Sequence, residues 1–96
     1  MFENVIAPVR DELLAAGVEK LAVFGSVARG EAGDSSDVDI LVTFRAGCRT
    51  FDNLFAVGDA LERAFKRRVD LVTEDALSPY LAPYIRASIK YVDLAA

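Results

Sequence analysis

Short apolar runs alternate with longer amphipathic stretches along this chain, and that alternation constrains the fold more than any other feature. Leu21-Ala22-Val23-Phe24 is wholly apolar, too short for a helix, and ends at Gly25, as a buried strand does. Val38 to Phe44 is rich in β-branched and apolar residues and reads as a second strand; Val69 to Val72 reads as a third. The intervening segments have helical spacing. Val5, Ile6, Val9, Leu13 and Leu14 fall on one face, with Asn4 as the expected N-cap, Pro8 in the first turn and Gly17 as the stop. Thr50 to Phe65 is expected to be helical, with Phe51, Leu54, Phe55, Leu61 and Phe65 as its core stripe and Gly58 between them. Ser78-Pro79 opens a last helical segment, regular only after Pro83, with Leu81, Ile85, Ile89 and Val92 as its stripe. The order helix, strand, loop, strand, helix, strand, helix predicts an α/β fold, a mixed sheet packed with helices.

Composition narrows the chemistry. With 96 residues, residues 1–96 are expected to form a single small domain. There is no histidine and one cysteine, Cys48. That excludes an intrachain disulfide, histidine acid–base catalysis and a Ser-His-Asp triad, and argues against zinc. Carboxylates remain, and they suit a hard cation such as Mg²⁺. The net charge of −4 provides no global field for nucleic acid, so no direct nucleic-acid partner is expected. Lys66-Arg67-Arg68 reads as a solvated turn at a helix end, and the Phe51, Phe55 and Phe65 stripe as core. Tyr80, Tyr84 and Tyr91 read as packing residues or interface anchors. No apolar run reaches the roughly 18 residues of a membrane span. The opening MFENVIAPVR lacks the basic-then-apolar order of a secretory signal. No membrane partner is therefore expected, and the reducing cytoplasm is the expected compartment.

The candidate site lies in the stretch GSVARGEAGDSSDVD, from Gly25 to Asp39. Gly25 ends a strand, where backbone can approach a ligand closely. Ser26 can cap a short helix beginning there or donate its hydroxyl to a phosphate. Arg29 adds positive charge nearby, with Glu31 or Asp34 as alternative surface partners. Asp37 and Asp39 are two apart on a strand, so both face one side while Val38 and Ile40 face the other. Adjacent carboxylates repel unless a cation sits between them. Asp70, inside the apolar run Val69-Asp70-Leu71-Val72, goes against β propensity, as residues at functional sites often do. Three carboxylates on adjacent strands can hold two divalent ions, an arrangement suited to moving nucleotidyl groups.

The Gly-Ser pair, the following Asp-x-Asp and the later strand aspartate resemble the nucleotidyltransferase superfamily typified by DNA polymerase beta. The fuller run GSVARGEAGDSSDVDILV, with RRVDLVTEDAL and PYIRASIKYV, resembles its minimal nucleotidyltransferase family. The resemblance implies the polymerase-beta-type core and roles for matched residues. Gly25 and Ser26 would hold ATP phosphates, with Arg29 and Ser36 counted beside them. Asp37 and Asp39 would ligate Mg²⁺. Asp70 would join a second metal and help deprotonate the acceptor hydroxyl. The family's usual neighbour is a HEPN toxin, so the resemblance implies an antitoxin that transfers AMP to a tyrosine of that partner, in a homo- or hetero-oligomer. Two other readings stay open: a non-catalytic antitoxin that neutralises by binding, and a catalytic subunit modifying a small molecule. An apolar patch on the C-terminal segment around Tyr84 and Ile89 is the expected docking surface.

Overall fold

The computed structural model describes residues 2–31, 33 and 36–94. Asp34, one of the two acids considered for Arg29, lies outside the described residues.

The first helical segment is divided into α1 (Glu3–Ile6), a 3₁₀ turn (Ala7–Val9) and α2 (Arg10–Ala15). Phe2, not Asn4, occupies the cap position, and no side chain caps the helix there. With the start moved back to Glu3, Pro8 falls beyond the first turn. Its missing N–H and its ring then oppose a regular α-helical register, and the chain tightens over Ala7–Val9. The expected inward face holds: Ile6, Val9 and Leu13 are buried.

Strand β1 (Val18–Phe24) starts earlier than its apolar run because Val18 pairs with Phe44. It leads directly into α3 (Gly25–Arg29), then β2 (Val38–Phe44), α4 (Phe51–Phe65), β3 (Val69–Thr73), α5 (Ala82–Arg86) and β4 (Lys90–Val92). The sheet order is β3-β2-β1-β4. β1 runs antiparallel to β2 and β4, while β2 and β3 are parallel, with α4 linking them. The sheet is therefore mixed, as expected.

β4 was not expected. The spacing of Ile89 and Val92 predicts the end of a helical stripe. Instead Val92 pairs with Leu21 across a strand edge. Only α5 is helical in the last segment, beginning at Ala82 with Pro83 in its first turn. An edge strand of three residues is too short for its periodicity to stand out from a helix.

The main core lies on one face of the sheet. Leu21, Val23, Val38, Ile40 and Val42 meet Ile6, Leu13, Val57, Ala60 and Leu61 there. The expected stripe of α4 holds at Leu61, which is buried, and at Phe65, which packs against the core, but not at the start of the helix. Val57, Ala60 and Leu61 point inward, whereas Phe51 and Phe55 are 83% and 72% exposed. Thr50 caps this helix, its Oγ1 accepting the Asn53 N–H at 3.1 Å. Two large rings near the helix start, Phe51 and Phe55, pulled the expected stripe toward them. The smaller Val57, Ala60 and Leu61 pack against the sheet and take the buried positions. The opposite sheet face carries a smaller cluster of Ala22, Phe24, Leu41 and Ile85, with Val72, Leu77 and Ile89 packed against it.

Candidate active site

The acidic residues share the second sheet face. Along β2, Val38, Ile40 and Val42 are fully buried in the main core, so Asp39 and Leu41 face the other way. Asp37 directly precedes the strand and is exposed. Parallel pairing sets Asp39 opposite Asp70, and antiparallel pairing sets Asp39 opposite Phe24, the last residue of β1. The end of β1, the start of β2 and the start of β3 thus meet at one rim.

At that rim β1 becomes α3 through Gly25, whose φ is +73°. L side chains rarely adopt that conformation, and a Cβ there would overlap Oδ2 of Asp39 and lie 3.2 Å from its Cγ. The glycine therefore lets the backbone lie directly against the carboxylate. Ser26 is inside α3 rather than capping it, because the helix begins at Gly25 and Phe24 holds the cap position. Gly30, in the left-handed conformation, closes the helix. Its N–H donates to Val27 O at 3.1 Å, and the Glu31 N–H donates to Ser26 O at 2.9 Å. The amide of Gly25 donates to Ser88 Oγ at 3.0 Å.

Asp39 has its carboxyl pushed above the usual aspartate range. Burial is the main cause, followed by the charges of Asp70 and Asp37, with Arg29 opposing them. The geometry thus brings Gly25, Asp39, Asp70 and Asp37 together and places Arg29 within electrostatic reach. Arg29 itself pairs with Glu31 at 3.2 Å, the expected surface partner. The Ser36 hydroxyl, just before Asp37, accepts the Gly33 N–H at 3.1 Å.

These residues fit a hard cation. Their donors are all carboxylate oxygens, and the acid at their centre is held near two like charges whose repulsion a cation relieves. Among the described residues, no three acidic or thiol side chains are already gathered as a metal cage. Backbone register assembles this set, and two of its members stand exposed. A cleft of about 540 Å³ lies at the other ends of β2 and β3, lined by Phe44, Arg45, Arg49, Glu74 and Asp75, away from the acids.

Residues 6–92 match the nucleotidyltransferase domain family, and the chain belongs to it. It is a nucleotidyltransferase, an enzyme of that class. It is similar to the protein adenylyltransferase MntA of Thermococcus cleftensis, 35% identical over 91 residues that span 94% of this chain and 91% of that one. A solved candidate minimal nucleotidyltransferase superposes with a TM-score of 0.71 at 36% identity, covering 94% of this chain and 95% of that one. A toxin–antitoxin structure with AMP-PNP aligns with a TM-score of 0.71 at 26% identity, covering 95% of this chain and 72% of that chain.

Proposed function

We propose that this nucleotidyltransferase is a cytoplasmic, Mg²⁺- and ATP-dependent protein adenylyltransferase that transfers AMP to a tyrosine hydroxyl of a HEPN toxin and so acts as its antitoxin. The observation that carries the reading is the meeting of Gly25, Asp39 and Asp70 at one strand rim, with Asp39 crowded by two other carboxylates. The likeness to MntA supports protein as the acceptor, and the likeness to a toxin–antitoxin structure holding AMP-PNP supports a toxin as partner and an adenine nucleotide as substrate.

In this reading the Gly25-Ser26 turn holds the terminal phosphates, with Ser36 at the loop before the acids and Arg29 adding charge. Asp37, Asp39 and Asp70 hold Mg²⁺, which when bound neutralises phosphate charge and the repulsion among the carboxylates. Asp70 stands across from Asp39 on the exposed edge strand, where an incoming hydroxyl can reach it. It takes the phenolic proton as the oxygen attacks the α-phosphorus. The bond from that phosphorus to the bridging oxygen breaks and pyrophosphate leaves. Positioning and charge neutralisation supply the rate. No helix of the described residues is long and apolar enough to cross a membrane, in keeping with a reaction away from one.

The test mixes the chain with the HEPN toxin proposed as its partner, labelled ATP and Mg²⁺, beside an Asp37→Asn/Asp39→Asn variant. The expected result is a mass gain on the HEPN protein in units of AMP, lost in the variant together with toxin neutralisation. Neutralisation by both proteins without label would instead establish an antitoxin that works by binding.

A further inference from the structure

Ser88 lies 63 positions along the chain from Gly25, yet its hydroxyl accepts the Gly25 N–H at 3.0 Å. Ser88 is 7% exposed, and Gly25 is buried as well. The neighbours of Ser88 hold it in place. Ile85, three residues earlier, packs with Ala22, Phe24 and Leu41, and Ile89, the next residue, packs against the same cluster. Two residues further, Tyr91 pairs with Ala22 of β1. The serine is thus fixed between a helix docked on the sheet and a strand hydrogen-bonded to it.

Gly25 has no comparable anchor of its own. It has no side chain, its φ is +73°, and its α-carbon faces the Asp39 carboxylate. A buried amide left without an acceptor carries a desolvation penalty, so the hydroxyl selects the peptide orientation that keeps this bond. The same C-terminal segment also reaches the other end of α3. The Arg29 guanidinium is held above its usual range first by Glu31, against desolvation, and Tyr84 of α5 adds a smaller contribution.

We propose that Ser88 is a positioning residue of the nucleotide site, its hydroxyl holding the Gly25 peptide so that the Gly25-Ser26 turn stays seated against Asp39. The inference rests on the reading of that turn as the phosphate holder. Ser88 touches no substrate in this assignment and acts through Gly25. The C-terminal segment, which carries none of the motif residues, thereby becomes part of the machinery that binds nucleotide.

The experiment compares the intact wild type with Ser88→Ala, Ser88→Thr and Ser88→Cys. One readout is amide hydrogen exchange at Gly25 and, as an internal reference, at Val42 in the middle of the sheet. The other is the dissociation constant for Mg²⁺·AMP-PNP by calorimetry. In Ser88→Ala, Gly25 exchange is expected to accelerate about tenfold or more while Val42 is unchanged, and nucleotide affinity to fall about 5–10-fold. Ser88→Thr keeps the hydroxyl and is expected to restore both. Ser88→Cys has nearly the volume of serine but is a weak acceptor, so it should behave like alanine, and it stands in should the alanine variant not fold. Unchanged Gly25 exchange, equal acceleration at Val42, or wild-type affinity in both hydroxyl-lacking variants would each overturn the inference. A wild type that binds no AMP-PNP would overturn the reading of the site itself, a result separable from a wild type that binds and variants that bind equally well.

Discussion

Asp39 shows how one residue can work against the fold while serving the site. Its carboxyl binds a proton more readily in the folded chain than in the unfolded one, because of burial first and then Asp70 and Asp37. The folded protein is therefore penalised at neutral pH. The penalty disappears as the pH falls through the window just above the ordinary value of 3.8, because the folded state takes up its proton first. Asp39→Asn is expected to abolish transfer yet raise Tm at pH 7 by about 2–4 °C, the shift that roughly 0.5 kcal/mol produces in a domain of this size. That advantage should shrink as the pH approaches 4, which paired thermal melts of variant and wild type would read. Gly25→Ala is the opposite case. It places a Cβ on the Asp39 carboxylate at a left-handed position and is expected to cost about 1–3 kcal/mol in denaturant unfolding, along with nucleotide affinity. The facing of Asp39, opposite to Val38 and Ile40, was legible in the sequence because spacing along a strand dictates facing, whereas Asp37 precedes the strand and lies outside that rule. The role of Ser88 was not legible, because a lone serine in an apolar segment has no spacing to give it away.

Among the elements, α4 separates what periodicity can read from what packing decides. The expected span, Thr50 to Phe65, matches its boundaries to within a residue, with Thr50 capping the helix instead of opening it. Its rotation does not follow the expected stripe at its start, since Phe51 and Phe55 face outward while Val57, Ala60 and Leu61 carry the contact with the sheet. Exchanging Phe51 and Phe55 for serine is therefore expected to change unfolding free energy by no more than about 0.5 kcal/mol, whereas Leu61→Ala should cost about 2–5 kcal/mol. Urea melts of the two variants would decide between the two phases. The last segment makes the same point. Ile89 is not part of an exposed docking patch, because it packs on the second cluster, while Tyr80, Leu81 and Tyr84 remain exposed beside it. Tyr91 likewise stands 66% exposed on β4 rather than packing in a core. A helix stripe and a short edge strand impose similar demands on four apolar residues, and only the partner strand distinguishes them.

For the molecule as a whole, the candidate site is a junction of three strand ends and one buried turn, so a ligand bound there is expected to stabilise the fold. Saturating Mg²⁺ and ATP are expected to raise Tm by about 10 °C or more, as roughly 2.7 kcal/mol of linkage at a hundredfold excess over Kd would do in a chain this small. Differential scanning fluorimetry should show that rise in the wild type and none in Asp37→Asn/Asp39→Asn. The order of apolar runs determined by itself the α/β class, and the lack of histidine pointed to carboxylate chemistry, because each is a property of local sequence. Three things were decided only by tertiary structure: the pairing of Asp39 with both Phe24 and Asp70, the addition of β4 to the sheet, and the burial of Ser88 against Gly25. Each joins residues far apart in the chain. Such contacts depend on which sheet face closes over which cluster, and no local pattern records that choice.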